Sequence, residues 1–161
     1  MEHSRLSKIG RTAKRSVIGA IKGTGETAGS IVEATRDLLR VTVEGVAEVA
    51  VTTEKSVGQI VIGAVEAAVE VGEDVMLAIK AAVRGTVKGA SQVGADVGKT
   101  AVAAVEGAVK AAGDIGEDTA EAIEQATTGA IEAAGEIGSE TAESVRKTLH
   151  STFRGAKAAS K

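Results

Sequence analysis

The sequence has no cysteine, proline, tryptophan or tyrosine, and a single phenylalanine, in 161 residues. Without cysteine there can be no disulfide and no thiolate metal ligand. Average usage would place about eight prolines in a chain of this length, at roughly 5%. Their absence suggests few enforced turns. The shortage of aromatics removes the bulky side chains that usually fill a compact core. It also removes stacking platforms for bases, so a sequence-specific nucleic-acid module is not expected. His3 and His150 lie near opposite ends with no clustered nucleophile or acid. No enzymatic activity, catalytic residue, metal site, cofactor or small-molecule substrate is therefore expected. Long apolar runs are missing as well. The longest stretch without a charge, residues 56–65, is ten residues, against about 18 or more for a membrane span. Met1 leads into a polar, basic segment rather than a signal-peptide core. A cytoplasmic location is expected, or a peripheral one on a membrane or lipid surface.

What is present is small and apolar. Hydrophobic residues make up 43% of the chain, but 30 are Ala and 21 are Val, with 20 Gly besides. They recur with a fixed period. Gly63, Gly85, Gly107 and Gly129 are spaced by 22, as are Gly72, Gly94, Gly116 and Gly138. The segments read GAVEAAVEVGED, GTVKGASQVGAD, GAVKAAGDIGED and GAIEAAGEIGSE. Each 22-residue unit splits into two 11-residue halves, and eleven residues is three turns at about 3.67 residues per turn. Stacked in elevens, Val17, Ile21, Ile31, Val32, Leu39, Val43, Ile60, Val65, Val87, Val109, Ile115 and Ile131 fall in apolar columns. Lys22, Glu33, Glu44, Glu66, Lys88, Lys110, Glu121 and Glu132 fall on the opposite face. The alternation of a β-strand is absent. The pattern predicts an all-α chain: one long, nearly continuous amphipathic helix, about 240 Å if unbroken. Its apolar arc is too wide for a two-stranded seam. A multi-stranded coiled coil or bundle is the expected assembly, with those twelve residues as its seam.

Glycine costs about 1 kcal/mol relative to Ala inside a helix. That cost is tolerable where backbones must approach closely. The eight periodic glycines are accordingly expected at close-packed contacts. The cluster Gly19, Gly23, Gly25 and Gly29 is the candidate hinge, and residues 23–29 are the segment where the chain would bend.

Charge divides the chain into three. Residues 1–22 carry six Lys/Arg and one Glu, residues 23–143 eight basic and 21 acidic groups, and residues 144–161 five basic and none acidic. The expected organisation is a basic amphipathic segment (1–22), an acidic repeat rod (23–143) and a basic tail (144–161). Arg5, Lys8, Arg11, Lys14, Arg15 and Lys22 are the residues that would anchor the chain to an anionic lipid surface. Leu6, Ile9, Val17 and Ile21 would then face the lipid.

Two strings imitate nucleotide sites. Gly23-Thr24-Gly25-Glu26-Thr27-Ala28 matches G-x-G-x-x-A but lacks the strand–turn–helix setting of a dinucleotide fold. Gly94-Ala95-Asp96-Val97-Gly98-Lys99-Thr100 is one residue short of a phosphate-binding loop, and each of its residues fits a repeat column.

With this period the chain resembles 11-residue-repeat helical proteins. One kind is the right-handed coiled coil of fibrous bundles. The other is the lipid-surface helix of synucleins, perilipins and exchangeable apolipoproteins; Val43 to Gly58 looks synuclein-like in its Val, Thr, Gly, Lys and Glu usage. The segment from Thr119 to Ala126 is similar to late-embryogenesis repeats. The central polar face is acidic where lipid-binding repeats usually carry lysines, and the prolines that punctuate apolipoprotein repeats are missing. The first resemblance implies a non-enzymatic, self-associating structural protein whose partner is further copies of itself, more than two in number. The second implies a coat on membranes or lipid droplets.

Overall fold

The computed structural model describes residues 6–45 and 53–159. Among them are seven helices: α1 (Lys8–Thr24), α2 (Thr27–Gly45), α3 (Thr53–Val71), α4 (Val75–Gln92), α5 (Val97–Asp114), α6 (Thr119–Ile137) and α7 (Ser139–Ala159). There is no strand among the described residues. The all-α expectation holds, but the continuous helix does not. The 22-residue unit is a helix of 18 or 19 residues followed by a tight reversal, and the chain folds into a bundle.

The reversal is built from a glycine and an acid two residues later. Gly72, Gly94 and Gly116 have φ of 79°, 76° and 81°. That left-handed conformation costs a side chain roughly 1–2 kcal/mol and glycine almost nothing. It lets the chain fold back and bond to the helix just ended. The Glu73, Ala95 and Glu117 amides donate to the carbonyls of Ala68, Ala90 and Ala112 at 2.8, 2.9 and 2.8 Å. These are the long bonds of a glycine-terminated helix end. The next residue opens the following helix. Asp74 accepts from the Met76 amide at 2.8 Å, Asp96 from Lys99 at 3.0 Å and Asp118 from Ala120 at 2.9 Å. A carboxylate here satisfies donors that the first helical turn leaves unpaired, and it complements the helix dipole. No proline is needed for a stop of this kind.

The glycine expectation is corrected accordingly. Gly72, Gly94 and Gly116 are not at close-packed contacts; a Cβ added to any of them would meet nothing within 4 Å. Gly138 lies outside the left-handed class, with φ 170° in extended backbone. It is also the whole of the α6–α7 connection. Within residues 23–29, the chain turns at Gly25, with φ 76°. The phosphate-loop imitation at residues 94–100 is the α4–α5 reversal and the first turn of α5.

Short reversals make consecutive helices antiparallel, so alternate helices run the same way. The tightest packing joins alternate helices: α1 with α3, α3 with α5, α2 with α4 and α4 with α6. The molecule thus has two layers, odd and even, with an Ala/Val core between them. α7 departs from this order. It packs chiefly on its sequence neighbour α6 and only lightly on α5. The one-residue connection at Gly138 leaves no room for the three- or four-residue fold-backs that join α3 to α4, α4 to α5 and α5 to α6. α7 therefore lies across the C-terminal end of the stack, with Val145 and Leu149 buried.

Candidate functional site

The surfaces richest in chemistry are those where alternate helices meet. Gly63, Gly85, Gly107 and Gly129 sit there, one per helix from α3 to α6. A Cβ at Gly63 would collide with the Gly10 carbonyl of α1, and one at Gly85 with Thr35 of α2. At Gly107 it would lie 2.8 Å from the Gly58 carbonyl oxygen of α3, and at Gly129 2.7 Å from the Lys80 carbonyl of α4. Backbone therefore meets backbone, at a separation that only glycine allows. Around each contact Ala fills the remaining space: Ala64, Ala67, Ala68, Ala101, Ala104 and Ala108 are all fully buried. Polar groups in this core are satisfied locally. Thr35, Thr86 and Thr100 donate to the carbonyls of Ile31, Val83 and Asp96 at 2.7, 3.0 and 2.8 Å.

An ionic ladder edges the α4–α6 contact. Arg84 donates to Glu132 and to Glu136, both at 2.8 Å. Lys80 lies 3.4 Å from Glu132 and Lys88 2.9 Å from Glu136. A hydrogen bond from the Lys88 ammonium, the largest effect, holds the Glu136 carboxyl below its usual range; burial opposes it, and the Arg84 guanidinium adds to the lowering. A shorter version joins α1 to α3, where Lys14 reaches Glu70 at 3.1 Å and Glu66 at 3.7 Å. The Arg84 partners are 48 and 52 residues away. That is two repeats plus one or two helical turns. The same register puts Lys88 and Gln92 opposite Arg40, where carboxylates would be needed. Arg40 Nε is buried without a hydrogen-bond partner among the described residues. Beside the ladder, α2, α4 and α6 enclose an open groove of about 480 Å³. Val32, Leu77 and Ala81 form its apolar part, and Arg36, Lys80, Arg84, Lys88, Glu33 and Glu132 its rim.

The twelve residues expected as an intermolecular seam lie mostly inside this one chain. Val17, Ile21, Ile31, Leu39, Ile60, Val65 and Val87 are buried in its core. Val32, Val43, Val109 and Ile131 are half-buried against that core. Ile115 is 38% exposed at the α5–α6 reversal. Their common face is covered by the chain's own helices. Of the anchoring cations, Lys8, Arg11, Arg15 and Lys22 are exposed, Lys14 is engaged by α3, and Arg5 lies outside the described residues. Leu6, Val17 and Ile21, expected to face lipid, are buried, while Ile9 is half-buried. Among the described residues, no three His, Cys, Asp or Glu are placed to hold a metal ion.

Sequence reasoning missed the ladder and the helix caps. The caps were visible as Gly-x-Asp at 72–74, 94–96 and 116–118. Gly just past a helix end and Asp just before the next start is a stop–start signal.

Two alternating layers of short antiparallel helices, joined through repeated glycine contacts, define an all-α helical-repeat bundle. Comparison with protein-family models, with curated proteins and with solved structures gives no match.

Proposed function

We propose that the chain is a non-enzymatic structural protein, a helical-repeat scaffold that associates with copies of itself. The observation carrying this reading is the recurrent glycine contact. Four successive helices present the same backbone-to-backbone surface to the helix two before them. A surface repeated in one chain is the kind that a further copy can extend. The ion pairs of Lys14, Lys80, Arg84 and Lys88 support the same reading, because each joins two helices. The wide apolar arc that pointed to more than two strands is filled by the chain's own helices. The number of copies no longer follows from it.

The test is sedimentation of the full chain without lipid over a wide concentration range. A sedimentation coefficient that rises with concentration is expected. A chain that stays monomeric up to its solubility limit would remove the proposal.

A lipid-surface role is the second reading, favoured by α1. That helix exposes Lys8, Arg11, Arg15 and Lys22 and carries no carboxylate, a pattern suited to anionic headgroups. Its apolar residues are committed to the bundle, so insertion would require α1 to leave α3. Flotation with anionic and with neutral vesicles separates the readings. Absence of the chain from the lipid fraction in both eliminates this one. Among the described residues no helix is long and apolar enough to cross a membrane.

A further inference from the structure

We infer that the N-terminal end of the stack is a dimerisation surface, where α1 and α2 of one copy pack on α2 and α1 of a second. The inference rests on the self-association reading above and names its interface. The repeat itself marks the surface. Gly63 and Gly107 meet the helix two before them, and the residue at their position in α1 is Gly19. A Cβ at Gly19 would meet nothing within 4 Å. Gly85 and Gly129 do the same in the even layer, and their counterpart in α2 is Val41. It is 65% exposed, the most exposed large hydrophobic residue among those described. Gly19 and Val41 each follow by nine residues the position, Gly10 or Val32, whose carbonyl faces the next helix. Nine residues is about two and a half turns, which puts them on the opposite side. The first two helices thus hold this repeat position, Gly19 and Val41, on a face that no described helix covers. The other end is closed by α7.

Charge selects both the occupant and its orientation. Arg15 and Asp37 share one repeat position, about 40° around the helix from Gly19 and Val41 respectively. Arg15 is exposed. Asp37 is 59% exposed and, among the described residues, pairs laterally with its neighbour Arg36 at 3.1 Å. Both lie about eleven residues from the turn at Gly25 and Glu26, hence at about the same height along antiparallel helices. A two-fold axis parallel to the helices sets α1 of each copy over α2 of the other. Arg15 then stands level with Asp37 of the second copy, twice by symmetry. A two-fold axis across the helices would instead lay α1 on α1, with the exposed Lys8, Arg11, Arg15 and Lys22 of each copy facing one another. Two helices about 26 Å long and 10 Å wide cover roughly 500 Å² per copy, at the low end for a stable interface. The dimer should therefore dissociate on dilution.

Sedimentation velocity of the full chain tests this, with circular dichroism to check each variant's helicity. A monomer–dimer equilibrium is expected. Arg15→Asp and Asp37→Arg should each weaken it about tenfold or more through like-charge contacts. The double exchange should restore it, Val41→Lys should abolish it, and Ile137→Lys at the closed end should leave it unchanged. If a single exchange unfolds, the double exchange against the parent chain still decides. A parent chain monomeric at every concentration overturns both the dimer and the self-association reading. Association indifferent to Val41→Lys, or a double exchange no better than the singles, overturns the dimer alone.

Discussion

The middles of the helices and the reversals between them use glycine at the same period for opposite reasons. Gly107 has ordinary helical backbone and a neighbour so close that a Cβ would lie 2.9 Å from the Gly58 Cα. Gly116, nine residues later, has φ of 81° and open space around it. One position is limited by its surroundings and the other by its own backbone. A count of glycines cannot separate the two, but substitution can.

The largest effect should come from the crowded class. Gly107→Leu drives a side chain into Gly58 main chain, which cannot yield as a flexible side chain would. A loss of about 3 kcal/mol is expected from overpacking, seen as a fall of roughly 10 °C in Tm. If Tm is unchanged, the close α3–α5 approach is wrong. In the turn class, Gly94→Ala meets no neighbour but must hold positive φ, at about 1–2 kcal/mol. Gly138→Ala, in extended backbone, should stay within about 0.5 kcal/mol of the parent. Equal losses at Gly94 and Gly138 in denaturant titrations would erase the distinction. Asp96→Ala in the same reversal removes a helix cap, with an expected loss of about 1 kcal/mol by urea unfolding. Gly135, in α6 with nothing within 4 Å of an added Cβ, belongs to neither class. Gly135→Ala should raise stability by about 0.5 kcal/mol, and a decrease would show a hidden contact there.

A further small effect concerns the ladder. Glu136 has its carboxyl pKa lowered in the fold, so its pairing stabilises at pH above the unfolded carboxylate value. That contribution disappears as the pH falls through the lowered folded value. Partly exposed pairs of this kind are worth about 0.2–1 kcal/mol. Glu136→Gln should cost no more than that near neutrality. It should also flatten the acid limb of stability between the ordinary glutamate pKa, about 4.3, and lower pH. An unaltered acid limb would assign that limb to other carboxylates.

Helix and buried face were legible in the sequence; the folding back was not. Val17, Ile31, Leu39, Ile60 and Val87 were correctly placed on a buried face, because apolar periodicity reports burial whatever covers it. The same periodicity cannot tell a continuous helix from a helix plus a four-residue reversal of equal total length. Eighteen helical residues and four turn residues keep the apolar columns in register across the break. The missing prolines strengthened the wrong choice, since Gly94 and Asp96 stop and restart the chain without one. The ladder was hidden for another reason. Arg84 and Glu132 are 48 residues apart, and only the two-layer order brings them together. The break at α7 has a faint local mark. Gly138 is followed by Ser139 and Glu140, where the preceding reversals end in Asp at the second position.

The alternation of layers distinguishes the unit of sequence from the unit of architecture. Excising one 22-residue repeat would send every later helix to the opposite layer and exchange which faces look outward. Excising two would not. Removal of residues 75–118 would join Asp74 to Thr119, remaking the Asp118–Thr119 junction already in the chain. Each later helix would keep its layer, and Glu132 and Glu136 would come opposite Arg36 and Arg40, in place of Lys88 and Gln92. The chain can thus change length by duplication or loss in steps of 44 residues while both of its ends stay the same.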